Sequence, residues 1–164
     1  MTTSGTATVT LPTDEQILIT REFDAPKHLV YEAFTTPELV KRWWNAKRGE
    51  VTVAEIDLRI GGAWRYVMVS DGFEVGFHGE YREIVPNERI VSTEVYEGLP
   101  DGVSEEEGAT LNTATFTETD GRTTLEILVR AANKVSRDAI IDSGMEAGMQ
   151  DAMDLLEEVA LSLR

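Results

Sequence analysis

Cysteine is absent from the 164-residue chain, so disulfides and thiol catalysis are excluded. Histidine is nearly absent as well: His28 and His78 stand far apart, and neither H-x-x-x-H nor H-E-x-x-H spacing occurs. No protein-held metal and no cofactor is therefore expected. No apolar run approaches the roughly 20 residues that a membrane crossing requires. The opening stretch MTTSGTATVTLPTDEQ carries neither a basic leader nor an apolar segment, so a cytoplasmic protein without membrane insertion is expected. Basic residues are scarce, 15 against 30 acidic ones, and the formal net charge is −15. Such a field repels phosphate backbones and anionic membranes, which excludes general nucleic-acid binding. Gly61-Gly62 lacks the flanking glycines or lysine of a phosphate loop, and no serine nucleophile elbow is present.

What is present is 41% hydrophobic content, sufficient for one core. Residues 1–14 read as an N-terminal segment that begins loosely ordered, with Thr8 to Leu11 a short strand; 15–164 read as a single domain. Gln16 to Asp24 alternates as a strand, Asp24 is placed to cap a first helix through Phe34, and Thr36-Pro37 opens a second through Trp43. From Glu50 to Ala131 the hydrophobic period becomes two. Six strands are predicted: Val51–Leu58, Ala63–Val69, Phe73–Ile84, Arg89–Tyr96, Thr110–Glu118 and Thr123–Arg130. Asp71-Gly72 and Asp120-Gly121 are hairpin signals, and residues 97–109 form the one long loop. An antiparallel meander is the economical topology.

The spacing predicts one long helix from Lys134 to Leu163. Ile141, Met145, Gly148, Met149, Ala152, Leu156 and Val159 fall on its apolar stripe. Glycine inside a helix costs roughly 1 kcal/mol relative to alanine. Gly144 and Gly148 in one helix therefore suggest close approach by a sheet or by a ligand. The order strand, two helices, six strands, long helix describes an α+β domain whose curved antiparallel sheet (β-α-α-β6-α) wraps that last helix.

Five stretches in register carry a resemblance: ITREFDAPKHLVYEAFTTPELVKRWW, DLRIGGAWRYVM, GEYREIVPNERIVSTE, TATFTETDGRTTLEI and GMEAGMQDAMDLLEEV. Over about residues 15–163 the chain resembles the bacterial single-domain relatives of the C-terminal domain of the heat-shock chaperone ATPase activator. These lie within the START-like, birch-pollen-allergen-like helix-grip superfamily (SRPBCC). The resemblance implies a cavity between sheet and helix, where superfamily relatives bind lipids, sterols or polyketides and a minority catalyse cyclisation or hydrolysis. It also implies a chaperone co-factor role as an alternative. No counterpart of the full activator's separate N-terminal module is expected, since the fold is expected to occupy nearly the whole of this sequence. Many relatives look to carry tryptophan after GMEAG, where this chain has the more pliable Met149.

A small, mainly apolar ligand is the partner expected, with monomer and homodimer both compatible. The expected lining is Trp43, Trp64, Tyr66, Met68, Phe77 and Tyr81, with Met145, Gly148, Met149 and Ala152 from the helix. Trp43 and Trp44 cannot both face inward, so one should pack while the other lies near the rim, with Lys47 and Arg48 available to an anionic headgroup. His78 and Glu80 share a strand face with Arg82 and are the candidate acid/base pair for a cyclase or hydrolase. Glu94, Asn112 and Arg130 are polar residues inside strands that could serve as pocket handles. His28 sits in an exposed-looking turn.

Overall fold

The computed structural model describes residues 6–99 and 101–164; the first part of the N-terminal segment expected to be loosely ordered, residues 1–5, lies outside them. Thirteen elements follow in order: β1 (Thr8–Thr10), β2 (Gln16–Phe23), α1 (Lys27–Thr35), α2 (Pro37–Trp43), β3 (Glu50–Ile56), β4 (Ala63–Ser70), β5 (Phe73–Val85), β6 (Arg89–Tyr96), α3 (Glu105–Gly108), β7 (Thr110–Thr119), β8 (Arg122–Arg130), α4 (Lys134–Asp142) and α5 (Met145–Ser162).

The strands make one eight-stranded antiparallel sheet in the order β1-β2-β8-β7-β6-β5-β4-β3. From β3 to β8 it is a meander, and β2 closes against β8 with Ile17 opposite Val129 and Phe23 opposite Thr123. Two of its hairpins turn on Asp-Gly. Asp71 and Gly72 adopt φ of 50° and 81°, Asp120 and Gly121 of 53° and 77°. Two successive left-handed residues match the right-handed twist of the flanking strands, which is why aspartate and glycine stand there.

Alternation places Ile17, Ile19 and Phe23 of β2, Phe116 of β7 and Leu125 of β8 on the concave face, all buried. Against them pack Val30 and Ala33 of α1, Val40 of α2, and Met153, Leu156, Val159 and Ala160 of α5. Burying each large apolar side chain contributes roughly 1.5–3 kcal/mol. The stabilising core therefore lies under the C-terminal half of α5. This is the helix-grip fold.

Two local expectations are corrected. The closing helix is not continuous: Gly144 takes φ 81° and separates α4 from α5. Its role is the left-handed stop of a helix, which favours glycine, rather than making room inside one. Asp24 does not cap α1; that helix begins at Pro26 with no side-chain cap, and the Lys27 N–H donates to Glu118 Oε1 of β7 at 2.8 Å. Phe73, which shares the period of Phe77 and Tyr81, is 76% exposed at the β4–β5 turn, beyond the reach of the helices. The long loop contains the one-turn α3, whose N-cap Ser104 accepts from the Glu107 N–H at 3.2 Å.

Candidate ligand-binding site

The N-terminal half of α5 is seated differently from the C-terminal half. Met145, Gly148, Met149, Ala152 and Leu155 are only half-buried. A methyl group added at Gly148 would meet nothing within 4 Å. Two lateral ties hold this half. Arg48, in the α2–β3 loop, pairs with Asp151 at 2.7 Å. On the other side Gln150 exchanges two hydrogen bonds with the backbone of Ala7, at 3.0 and 2.7 Å. Gly148 lies one turn before Asp151 and so shares the flank that looks toward the α2–β3 loop.

Below that flank the concave face is aromatic. Trp64 and Tyr66 of β4 lie with ring centroids 4.8 Å apart. Trp44 meets Tyr66 at 5.5 Å and Phe77 of β5 at 5.7 Å, both edge-to-face, and Phe77 meets Tyr96 of β6 at 5.2 Å. Gly79 permits this layer. Register places it opposite Trp64, and a side chain there would collide with the indole nitrogen at 2.6 Å. Without one, Trp64 Nε1 crosses β5 and donates to the Thr93 carbonyl of β6 at 3.1 Å.

A polar group is embedded in the same face. Glu94 of β6 accepts from Asn112 Nδ2 of β7 at 3.2 Å, and the Asn112 carbonyl oxygen accepts from the Thr110 hydroxyl at 2.9 Å. Burial pushes the Glu94 carboxyl above its ordinary range, with the Asn112 bond opposing. Yet Glu94 and Asn112 each keep part of their surface open. Burial likewise raises the Tyr66 phenol well above its usual value, with Tyr81 and Glu94 adding to the shift. Tyr81 is raised by burial and next by Tyr31, while its hydrogen bond with Tyr66 acts in the opposite direction. Tyr31, from α1, is 8% exposed, and its hydroxyl has no hydrogen-bond partner among the described residues. Tyrosine hydroxyls normally find a partner when buried.

Of the residues singled out from sequence, Trp64, Tyr66, Phe77 and Tyr81 share this face, and Met145, Gly148, Met149 and Ala152 come from the helix above. Trp43 does not join them. It stacks on Phe34 at 5.6 Å and donates from Nε1 to the Ala33 carbonyl at 2.9 Å, inside the helical core. Its neighbour Trp44 takes the place expected of it. Met68 shares the face of Trp64 and Tyr66, opposite Val75, and its side chain lies beside Gly49. Arg48 is engaged by Asp151 rather than open to a headgroup.

His78 and Glu80 point to the outer face, so the expected acid/base pair does not meet a ligand under α5. His78 is 39% exposed and lies between Glu97 and Glu105, each at 2.9 Å. Glu80 pairs with Arg82 at 3.4 Å. Among the described residues no group of acidic or histidine side chains is placed to hold a metal ion. A shallow depression on the outer face, lined by Pro12, Leu18 and Leu128 together with Gln16, Thr115 and Glu126, brings no aromatic ring. Tyr31 was missed by sequence reasoning, because a tyrosine beside Val30 and Phe34 reads as ordinary helix packing.

A family model described as Activator of Hsp90 ATPase homolog 1-like protein matches residues 24–160. Among solved structures, a protein from Rhodobacter sphaeroides is 25% identical, with a TM-score of 0.85, over 96% of this chain and 99% of that one. One from Chromobacterium violaceum is 27% identical, with a TM-score of 0.77, over 90% and 98%. One from Mycobacterium smegmatis, 22% identical with a TM-score of 0.82 over 94% and 91%, shares the fold. No curated protein matches the chain significantly.

Proposed function

The chain belongs to the Activator of Hsp90 ATPase homolog 1-like family, and within it we propose a binding role: uptake of a small, mainly apolar molecule between the N-terminal half of α5 and the aromatic face of β4–β6. What supports this reading is the open space beside Gly148 on a half-buried stretch of α5, together with the half-buried rings of Trp44 and Phe77, in a domain whose other half is closely packed. Apolar surface removed from water contributes roughly 25 cal/mol per Å², and the rings and the half-buried Met145 and Met149 offer it. Binding is favoured over turnover because His78 and Glu80 lie on the opposite face of the sheet.

The test is a titration with the neutral dye N-phenylnaphthylamine, read by dye emission and by tryptophan quenching. Saturable one-to-one enhancement is expected. Gly148→Leu, which fills the space with a good helix former, should abolish it without lowering the melting temperature. No enhancement, or enhancement untouched in the Leu variant, overturns the proposal. The family's description also supports a second reading, a chaperone-ATPase co-factor acting through its surface. That reading expects the purified chain to stimulate the chaperone's ATP hydrolysis, and a flat rate would dismiss it.

A further inference from the structure

The polar group on the concave face is made of Glu94, Asn112 and Thr110. Glu94 has Asn112 as its partner and no cation beside it among the described residues. Its open surface lies on the concave side with Tyr66 and Tyr81, whose oxygens carry free lone pairs, and the orphaned Tyr31 hydroxyl adds another. A buried carboxyl without a counter-charge is costly to ionise. We propose, resting on the uptake reading above, that the guest is an amine: an apolar body lies against Trp44 and Phe77, and its ammonium meets the Glu94 carboxylate and the tyrosine oxygens.

Each part of that assignment has a physical reason. An ammonium brings only donors, and the group facing it is rich in acceptors. The faces of Trp64 and Tyr66 attract a cation through their ring quadrupoles. A fatty-acid carboxylate in the same place would either face an anionic Glu94 or keep it protonated, and in both cases brings a second acceptor where a cation is wanted. The molecule's charge of −15 further enriches cations and depletes anions around it.

The experiment compares octylamine, octanol and octanoate, which share one apolar chain, by calorimetry in about 150 mM salt to screen the surface. Octylamine should bind at least about tenfold more tightly than octanol, and octanoate more weakly than either. Glu94→Gln should erase the amine's advantage while leaving octanol affinity within about twofold and the melting temperature intact. Glu80→Gln, on the outer face, should leave the advantage in place. Octanol binding as tightly as octylamine overturns the amine assignment alone. So does an advantage that survives Glu94→Gln, one that disappears in Glu80→Gln, or a loss of octanol binding together with the amine's in Glu94→Gln. If none of the three binds and the dye is also silent, the uptake reading falls with it.

Discussion

His78 shows how a single residue can look catalytic in a sequence and be mechanical in the fold. Its ring bridges Glu97 at the end of β6 and Glu105 of α3, so it fastens the acidic turn to the outer face of the sheet. Those two hydrogen bonds, Glu97 first, raise its pKa above the ordinary value. Glu97 itself is held down to about 2, chiefly by the two hydrogen bonds from Arg65 and then by His78. A raised histidine contributes stability that is complete below its unfolded pKa, about 6.5, and is lost as pH rises through the folded value. Glu97 remains anionic throughout that window, so the change belongs to His78. Amide protection of residues 104–108 should therefore be full in mild acid and fall as pH rises past neutrality. In His78→Gln it should be low and flat, and hydrogen exchange across pH measures both. Protection that is independent of pH in the parent protein would refute the fastening. Alternation had placed His78 with Glu80 and Arg82, but it could not say which face was concave, and that choice decided the residue's role.

The closing helical stretch presents two glycines that the spacing treated as a pair and the backbone treats as opposites. Gly144 sits at φ 81°, where a side chain costs roughly 1–2 kcal/mol. Gly148 lies inside the helix with nothing within 4 Å of an added methyl, so alanine there should gain about 0.5–1 kcal/mol. Gly144→Ala should thus lower, and Gly148→Ala raise, the urea midpoint at constant slope. Shifts of the same sign would contradict this division. The strands were legible because period two and Asp-Gly turns are local signals, and Ala63, Phe73, Arg89, Thr110 and Arg130 bound their strands where alternation began or ended. The helix break was not, because an apolar stripe runs through Ser143-Gly144 unaltered, and only the left-handed φ marks it. The site was legible as far as it is aromatic. Trp64, Tyr66 and Phe77 announce themselves by hydrophobicity on one face. Glu94 was legible as a polar residue inside a strand, but its burial, and the missing partner of Tyr31, arise only once β6, β7 and α1 have converged.

At the scale of the whole molecule, charge and packing act on different parts of the fold. Most of the described ion pairs sit at the surface, among them Arg59–Asp57, Arg89–Glu83 and Lys134–Asp138. Exposed pairs are worth roughly 0–1 kcal/mol each and weaken with salt. Two arginines are exceptions: Arg137, 6% exposed beside Asp138, and Arg21, 3% exposed between Asp154 and Glu157 of α5 and 5.1 Å above the Phe23 ring, where salt screens them poorly. Against these attractions stands the repulsion among 30 acidic residues balanced by 15 basic ones. The unpaired excess is larger than the screened pairs can offset, so added salt should remove more repulsion than attraction. The melting temperature should rise between about 10 mM and about 0.5 M sodium chloride, over which the Debye length shrinks from about 30 Å to a few ångströms. The same screening should leave the octylamine preference largely in place, because Glu94 lies under rings and a helix rather than at the surface. A melting temperature that falls with salt would mean that the surface pairs, not the net charge, govern the balance. An amine preference that vanishes with salt would move the selecting charge from Glu94 to the molecule's outer field.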